Sequence, residues 1–527
     1  MTSAKRVTAK ELQSMLRDGG EIALLDAREA GQFGESHLLF ATPLPYSRLE
    51  LDIAALVPRR SARVVWCDDG ESGIADIASR RLRDAGYGDV AVLDGGTRGW
   101  CDAGYSLFAG VNVPSKLFGE LVEHVYHTPR LSAQDLLAMK ESGEDFVVLD
   151  GRPLSEHHKM TIPGSICCPN AELPYRIASI VRHPNTKIIV NCAGRTRSIL
   201  GAQTLINFGV PNPVYALENG TQGWRLADLE LEYGSARKYP DKVDERALAA
   251  QQTAARKLMA RFSISTVTAA QAQGWLSESD RTTYVCDVRT PEEFQAGSLP
   301  GAIHAPGGQL IQATDQWIGV RNARVVLADA GEHVRAPMVA SWLKQLGYQA
   351  YVLEGGVRSN LVVPRPVEPA LPDIPSVSAA ELKRSLESAR CTVLDVSASM
   401  QYRKAHIPGS RWSIRPRIVA DTRRATATVV LVGDDGIARL AAKDLLESGA
   451  QDVRLLAGGL GAWTADGYPT EASPATPPDL ECIDYLFFVH DRHAGNREAM
   501  KQYLAWETGL IAQLDEKDRE LFKVGMQ

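Results

Sequence analysis

The chain has 527 residues, 44% of them hydrophobic and 23% charged, and a formal net charge of −6. That length exceeds one ordinary hydrophobic core and points to about three to five domains, while the mild acidity gives no support to a nucleic-acid footprint. No apolar run reaches membrane-spanning length, and Met1 to Lys10 carries basic residues with no apolar stretch, so a cytoplasmic chain without export signal or membrane anchor is expected. Its eight cysteines include no CxxC pair and no His/Cys cluster at zinc spacing. Neither a disulfide framework, a structural metal nor another cofactor is therefore indicated, and a cysteine with a special role would act as a thiol.

Along the chain, one pattern recurs four times. Each copy opens on a helix start, at residues 7–12, 131–136, 267–272 and 377–382, where Thr8, Ser132, Thr268 and Ser378 suit an N-cap and a following acid or amide suits a capping box. A short apolar strand follows at 22–26, 146–150, 284–287 and 392–395, ending in Asp26, Asp150, Asp287 and Asp395. Arg28, Arg152 and Arg289 stand two residues beyond the first three of these, and Ser397 beyond the fourth; Pro-Gly turns come next at 163–164, 300–301 and 408–409. A second strand at 62–66, 188–190, 324–327 and 428–432 runs into a loop and then a helix that stops near Gly86, Gly209, Gly347 or Gly449, as a glycine cap would stop it. A third strand at 90–93, 214–217, 351–353 and 453–456 leads to a glycine-rich turn, with Trp100, Trp224 and Trp463 behind three of them.

Short buried strands alternating with helices imply an α/β chain with a mostly parallel sheet flanked by helices in each copy. The expected domains are 1–110, 125–235, 263–362 and 374–472, joined by a linking helix at 236–262 and followed by a helical tail at 480–527.

One loop differs in chemistry from its three counterparts. Cys192-Ala193-Gly194-Arg195-Thr196-Arg197 leaves the second strand of the second copy, at the carboxyl edge of a parallel sheet, where open α/β sheets bind ligands. Its backbone amides are free to converge on an anion, Arg195 and Arg197 should favour thiolate over thiol, and Gly194 should let the backbone curl. The competing reading is a buried structural thiol. The matching positions elsewhere hold Asp68, Asp329 and Asp434, carboxylates that cannot attack sulfane sulfur and that repel an anionic donor. Cys67 lies one residue too early, within the strand, and Cys167-Cys168 reads as core packing or, less readily, as a resolving thiol. His490-Asp491-Arg492-His493 reads as a solvated helix start rather than a metal site.

The ordered set of Asp150-x-Arg152, Ile-Pro-Gly-Ser at 162–165, the six-residue Cys192 loop and Gly-x-x-x-Trp at 220–224 resembles the rhodanese family of sulfurtransferases. The resemblance spans nearly the whole chain and implies four tandem rhodanese-like domains, of which the second carries the nucleophile. It implies a ping-pong reaction through a Cys192 persulfide, from thiosulfate, 3-mercaptopyruvate or a related anionic donor to cyanide or a cellular thiol. Ala193, Gly194, Arg195, Thr196 and Arg197 would bind the donor, with Asp150 and Arg152 behind them. In many relatives the loop glycine is fourth, whereas here it is third and Arg195 follows, which leaves the donor open. The loop Asp329–Arg335 resembles the longer loop of rhodanese-related phosphatases with its cysteine replaced, and Ser198 stands where a Cys-x5-Arg phosphate cradle needs arginine. A second reading is a non-catalytic scaffold or relay whose Cys192 takes persulfide from a protein donor. On either reading the other three copies would frame the mouth of the Cys192 site, bind a protein partner that delivers or accepts sulfur, hold a homodimer, or simply contribute buried surface.

Overall fold

The computed structural model describes residues 4–423, 428–492 and 495–525. Its regular core is four five-stranded sheets, each with the strand order first-fifth-fourth-second-third and every pair parallel. In the second module these strands are Arg130–Leu131, Phe146–Asp150, Ile166–Cys167, Lys187–Asn191 and Val214–Leu217. The fourth strand of each module therefore runs through the middle of its sheet. In Lys187–Asn191 the side chains alternate between faces, Ile188 and Val190 joining one core cluster and Ile189 another. A strand covered on both faces needs an apolar run, and the central Ile188-Ile189-Val190 supplies it.

The opening helices form where Ser or Thr meets an acid or amide three residues on. Thr8 with Glu11, Ser132 with Asp135, Thr268 with Gln271 and Ser378 with Glu381 all close the capping box. The linking helix is shorter than its sequence suggests, covering Glu245–Arg261. The tail is not one helix: Phe487–Asp491 is separate from Arg497–Gln513, whose start is capped by the Asn496 side chain on the amides of Glu498 and Ala499. A further helix, Val113–Tyr126, joins the first two modules and has no counterpart in the repeated pattern.

Buried arginines join the modules. Arg335 of the third module meets Glu172 of the second at 2.9 Å, with Glu293 and Glu332 at 2.5 and 2.6 Å. Arg415 of the fourth meets Glu50 of the first at 2.6 Å and Asp444 at 2.9 Å, and Tyr46 donates to Asp444 at 2.9 Å. A single apolar cluster runs through the first three modules, whereas the fourth keeps its own. Removing one partner of a buried ion pair strands the others in a medium that solvates charge poorly. Arg335→Ala should therefore cost about 3–5 kcal/mol in the urea transition that separates the second and third modules. A loss below about 1 kcal/mol would show that apolar packing alone holds them.

Candidate active site

Strand Lys187–Asn191 ends one residue before Cys192, and helix Thr196–Phe208 begins four residues after it. The short connection is shaped by the turn after the fifth strand. Gly220 lies at φ +51°, and a Cβ there would fall 2.2 Å from the Cys192 carbonyl oxygen, so only glycine fits this approach. Thr221 N–H donates to the Cys192 carbonyl at 2.9 Å, and the Gln222 backbone and side-chain N–H groups donate to the Ala193 carbonyl at 3.1 and 3.0 Å. With these carbonyls tied down, the amides of Ala193, Gly194, Arg195, Arg197 and Ser198 have no acceptor among the described residues. Such amides at a helix head form an anion cradle. Cys192 lies at its mouth, 2% exposed.

Gly194 differs from expectation: its φ is not among the positive values. Its missing side chain instead makes room for the tail, because a Cβ there would lie 3.0 Å from Glu507 Oε2 and 3.3 Å from Tyr503 Cε1.

The two loop arginines are committed to carboxylates. Arg195 grips Glu120 through Nε at 2.7 Å and Nη2 at 2.9 Å, and reaches Glu123 at 2.5 Å. Arg197 is bidentate to Glu156 at 2.8 Å on both nitrogens and meets Gln309 of the third module at 3.3 Å. Burial works against the Arg197 charge, but Glu156 and the nearby Cys192 more than restore it. Burial likewise pushes the Glu156 carboxyl up and Arg197 more than reverses this. The strongly positive surroundings expected from sequence are therefore largely neutralised by ion pairs. Thr196 is fully buried and donates its hydroxyl to Glu507 at 2.6 Å.

Behind the loop, Arg152 makes a bidentate pair with Asp150 at 2.9 and 2.7 Å and also donates to the Met160 carbonyl at 2.6 Å. Asp150 accepts from Asn191, the residue before Cys192, at 3.0 Å. Asp150 and Arg152 thus set the strand end rather than face the cradle. Asn170 donates to the Arg197 carbonyl at 2.9 Å.

The other three modules use the same loop differently. Asp68 turns its carboxylate onto the amides of Gly70 at 2.8 Å and Ala75 at 3.0 Å. Asp329 accepts from Gly331, Val334 and Ala336 at 3.0, 3.2 and 3.1 Å. The fourth module departs from expectation: the strand register puts Gly433 at the Cys192 position, and Asp434, one residue later, caps the next helix by accepting from Ile437 at 3.2 Å. Burial pushes the Cys167 thiol up to about 12 and drives Cys67 and Cys168 well above the ordinary thiol range, which makes them poor nucleophiles. Cys167 donates to the Arg152 carbonyl at 3.4 Å. His490 stacks on Tyr485 with ring centres 4.5 Å apart, and His493 lies outside the described residues. No cluster of His, Cys, Asp or Glu among the described residues could hold a metal, and no helix among them is long and apolar enough to cross a membrane.

Sequence reasoning missed the outer wall of the site: Lys116, Glu120 and Glu123 from the joining helix, Gln309 from the third module, and Tyr503 and Glu507 from the tail. Gly119 lets the joining helix approach, since a Cβ there would lie 2.8 Å from Thr196 Cγ2. The four-residue spacings Lys116 to Glu120 and Tyr503 to Glu507 place each pair on one helix face, the one local signal that these residues act together.

Four parallel α/β modules, each with a strand-loop-helix cradle and one of them headed by cysteine, define the class. The chain matches the rhodanese-like domain family over residues 8–103, 132–227, 268–359 and 378–466. It is 43% identical to a crystal structure of a thiosulfate sulfurtransferase from Pseudomonas aeruginosa, covering 99% of both chains with a TM-score of 0.91. The rhodanese-like domain of an Anabaena protein is 29% identical over 20% of this chain and 84% of that one, with a TM-score of 0.18. No curated protein matches the chain. The chain belongs to the rhodanese family, as a protein of four tandem rhodanese-like domains.

If Arg195 chiefly fixes the loop, its pairing with Glu120 should appear as stability. A double-mutant cycle of Arg195→Met and Glu120→Gln in urea should give a coupling of about 0.5–3 kcal/mol. A coupling near zero would return Arg195 to the role of a donor-binding cation.

Proposed function

We propose that this protein is a sulfurtransferase that carries sulfane sulfur on Cys192, with thiosulfate or a related anion as donor and cyanide or a cellular thiol as acceptor. The observation that carries the reading is the Cys192 loop itself. Of four equivalent loops, this one has a sulfur nucleophile at its head and unconsumed amides behind it, whereas the first and third are headed by carboxylates that consume their own amides and the fourth by Gly433. The near full-length likeness to a thiosulfate sulfurtransferase supports the same chemistry.

In the first step the Cys192 thiolate attacks the outer sulfur of thiosulfate. A new S–S bond forms, the donor's S–S bond breaks, and its electron pair leaves on sulfite. The persulfide's negative terminal sulfur then rests on the amides of Ala193, Gly194, Arg197 and Ser198, fixed dipoles that need no reorganisation as charge develops. In the second step cyanide or a thiolate attacks that terminal sulfur, and the electron pair returns to Cys192. Arg197 is the loop cation closest in influence to the thiol and would steady its charge, while Arg195, Thr196, Asp150 and Arg152 keep the loop in shape. All eight cysteines are unpaired, as suits a cytoplasmic enzyme working among thiols.

A second reading is a relay that takes persulfide from a protein donor, favoured by the near-complete burial of Cys192. The two separate cleanly by experiment. Thiosulfate should release sulfite and add one sulfur to the peptide bearing Cys192, and Cys192→Ser should abolish both. Negligible turnover with thiosulfate but loading by a desulfurase would favour the relay, and activity retained by Cys192→Ser would end both readings. Arg197→Ala should raise KM for thiosulfate by about tenfold, the worth of one charge-assisted hydrogen bond. An unchanged KM would leave the amides as the whole donor site.

A further inference from the structure

A carboxylate from the chain's own tail already lies against the Cys192 loop, on Thr196 beside the unconsumed amides. Helix Arg497–Gln513 places Glu507 on the loop, fully buried. Its Oε1 accepts from the Thr196 hydroxyl at 2.6 Å and the Thr196 amide at 3.4 Å, and stands 3.4 Å from Lys116 Nζ. Its Oε2 is buried with no hydrogen-bond partner and points at Gly194, 3.0 Å from where a Cβ would be.

The other modules show what this arrangement replaces. Asp68 and Asp329 each fold a carboxylate back onto the amides of their own loop. In the second module cysteine stands in that place, and a carboxylate reaches the loop from Glu507, 311 positions beyond Thr196.

An anionic donor and Glu507 cannot both be comfortable here. Burial pushes the Glu507 carboxyl up, but Lys116, Thr196 and Arg195 together bring it below its ordinary value, so it is ionised. A thiosulfate sulfonate beside it would meet a like charge across a dry gap, where repulsion is least screened. The closed contact is also poorly satisfied, because an orphaned buried oxygen costs free energy that its departure into water restores. Outside the loop the helix is held at its two ends and one side: Arg497 bonds Asp228 and the Arg225 and Leu226 carbonyls, Trp506 donates to the Ala109 carbonyl at 2.9 Å, and Leu510 enters the apolar core.

We propose that Glu507 is a specificity-determining residue that competes with the anionic donor for the Cys192 cradle, so that donor entry displaces this carboxylate and loosens helix 497–513 from the loop. The proposal rests on Cys192 being the reactive thiol. Displacement would hand Lys116 to the incoming anion, adding a freed cation to Arg197, whose charge is shared with Glu156.

The test uses the full chain. Alkylation of Cys192 by iodoacetate, an anion, and by iodoacetamide, its neutral analogue, is followed by peptide mass spectrometry in the wild type and in Glu507→Gln. Glu507→Gln keeps the side chain's size and removes its charge, so the iodoacetate-to-iodoacetamide rate ratio should rise about tenfold. A ratio unchanged from wild type overturns the proposal, including the case where both reagents accelerate equally because the cover is merely steric. Should the variant misfold, the wild type supplies the answer: saturating sulfite should raise hydrogen exchange across residues 500–510, and unaltered exchange overturns displacement. Neither readout requires turnover, so failure here is distinguishable from failure of the sulfurtransferase reading, which is judged by sulfite release and the Cys192 persulfide.

Discussion

Backbone amides left over where a central strand turns into a helix are the constraint around which each module is arranged. A buried donor without an acceptor is costly, so the loop either supplies its own anion or leaves room for one. Two modules supply it at the loop's first position, with Asp68 and Asp329, while the fourth has Gly433 there and uses Asp434, one residue later, to cap its helix. The second puts a thiol there, and the price of keeping those amides available is met by a dense shell of ion pairs that holds the loop rigid.

That shell changes how the positive charges should be understood. Arg195 and Arg197 look like two cations waiting for a donor, yet each has a bidentate carboxylate. A planar guanidinium paired in this way acts as a clamp as much as a charge: Arg195 fastens the loop to the joining helix, and Arg197 fastens it to the helix carrying Glu156. What the loop then offers an anion is chiefly its unconsumed backbone amides, fixed dipoles at the head of helix Thr196–Phe208.

The sequence carried the four-fold fold plainly, because parallel strands buried on both faces read as short apolar runs, and each run ends at a chemically marked residue such as Asp150 or Asn191. Capping residues located the helices for the same reason: Thr8 and Ser132 act on amides three residues away. The position of the cysteine-headed loop among its aspartate-headed equivalents was equally local. Its surroundings were not. Glu120 meets Arg195 across 75 residues and Glu507 meets Thr196 across 311, separations at which no periodicity survives. Gly194 shows the same limit, since a glycine needed for a close approach by the tail cannot be told, in one sequence, from a glycine needed for a turn.

Segments outside the second module contribute side chains to the walls of the Cys192 loop. The third lends Gln309 to Arg197, and its Arg335 fixes Glu172 of the second module. The first launches the helix that brings Lys116, Glu120 and Glu123 to the loop, and its residues Ala109 and Gly110 receive Trp506, which seats the tail. The fourth is clamped to the first by Arg415, and the chain that leaves it returns across the first module, where Ile483 accepts from the Gly31 and Gln32 amides. The Cys192 loop is thus walled by the third module, by the helix that leaves the first and by the tail that follows the fourth, so its surroundings are assembled from segments spread along the chain.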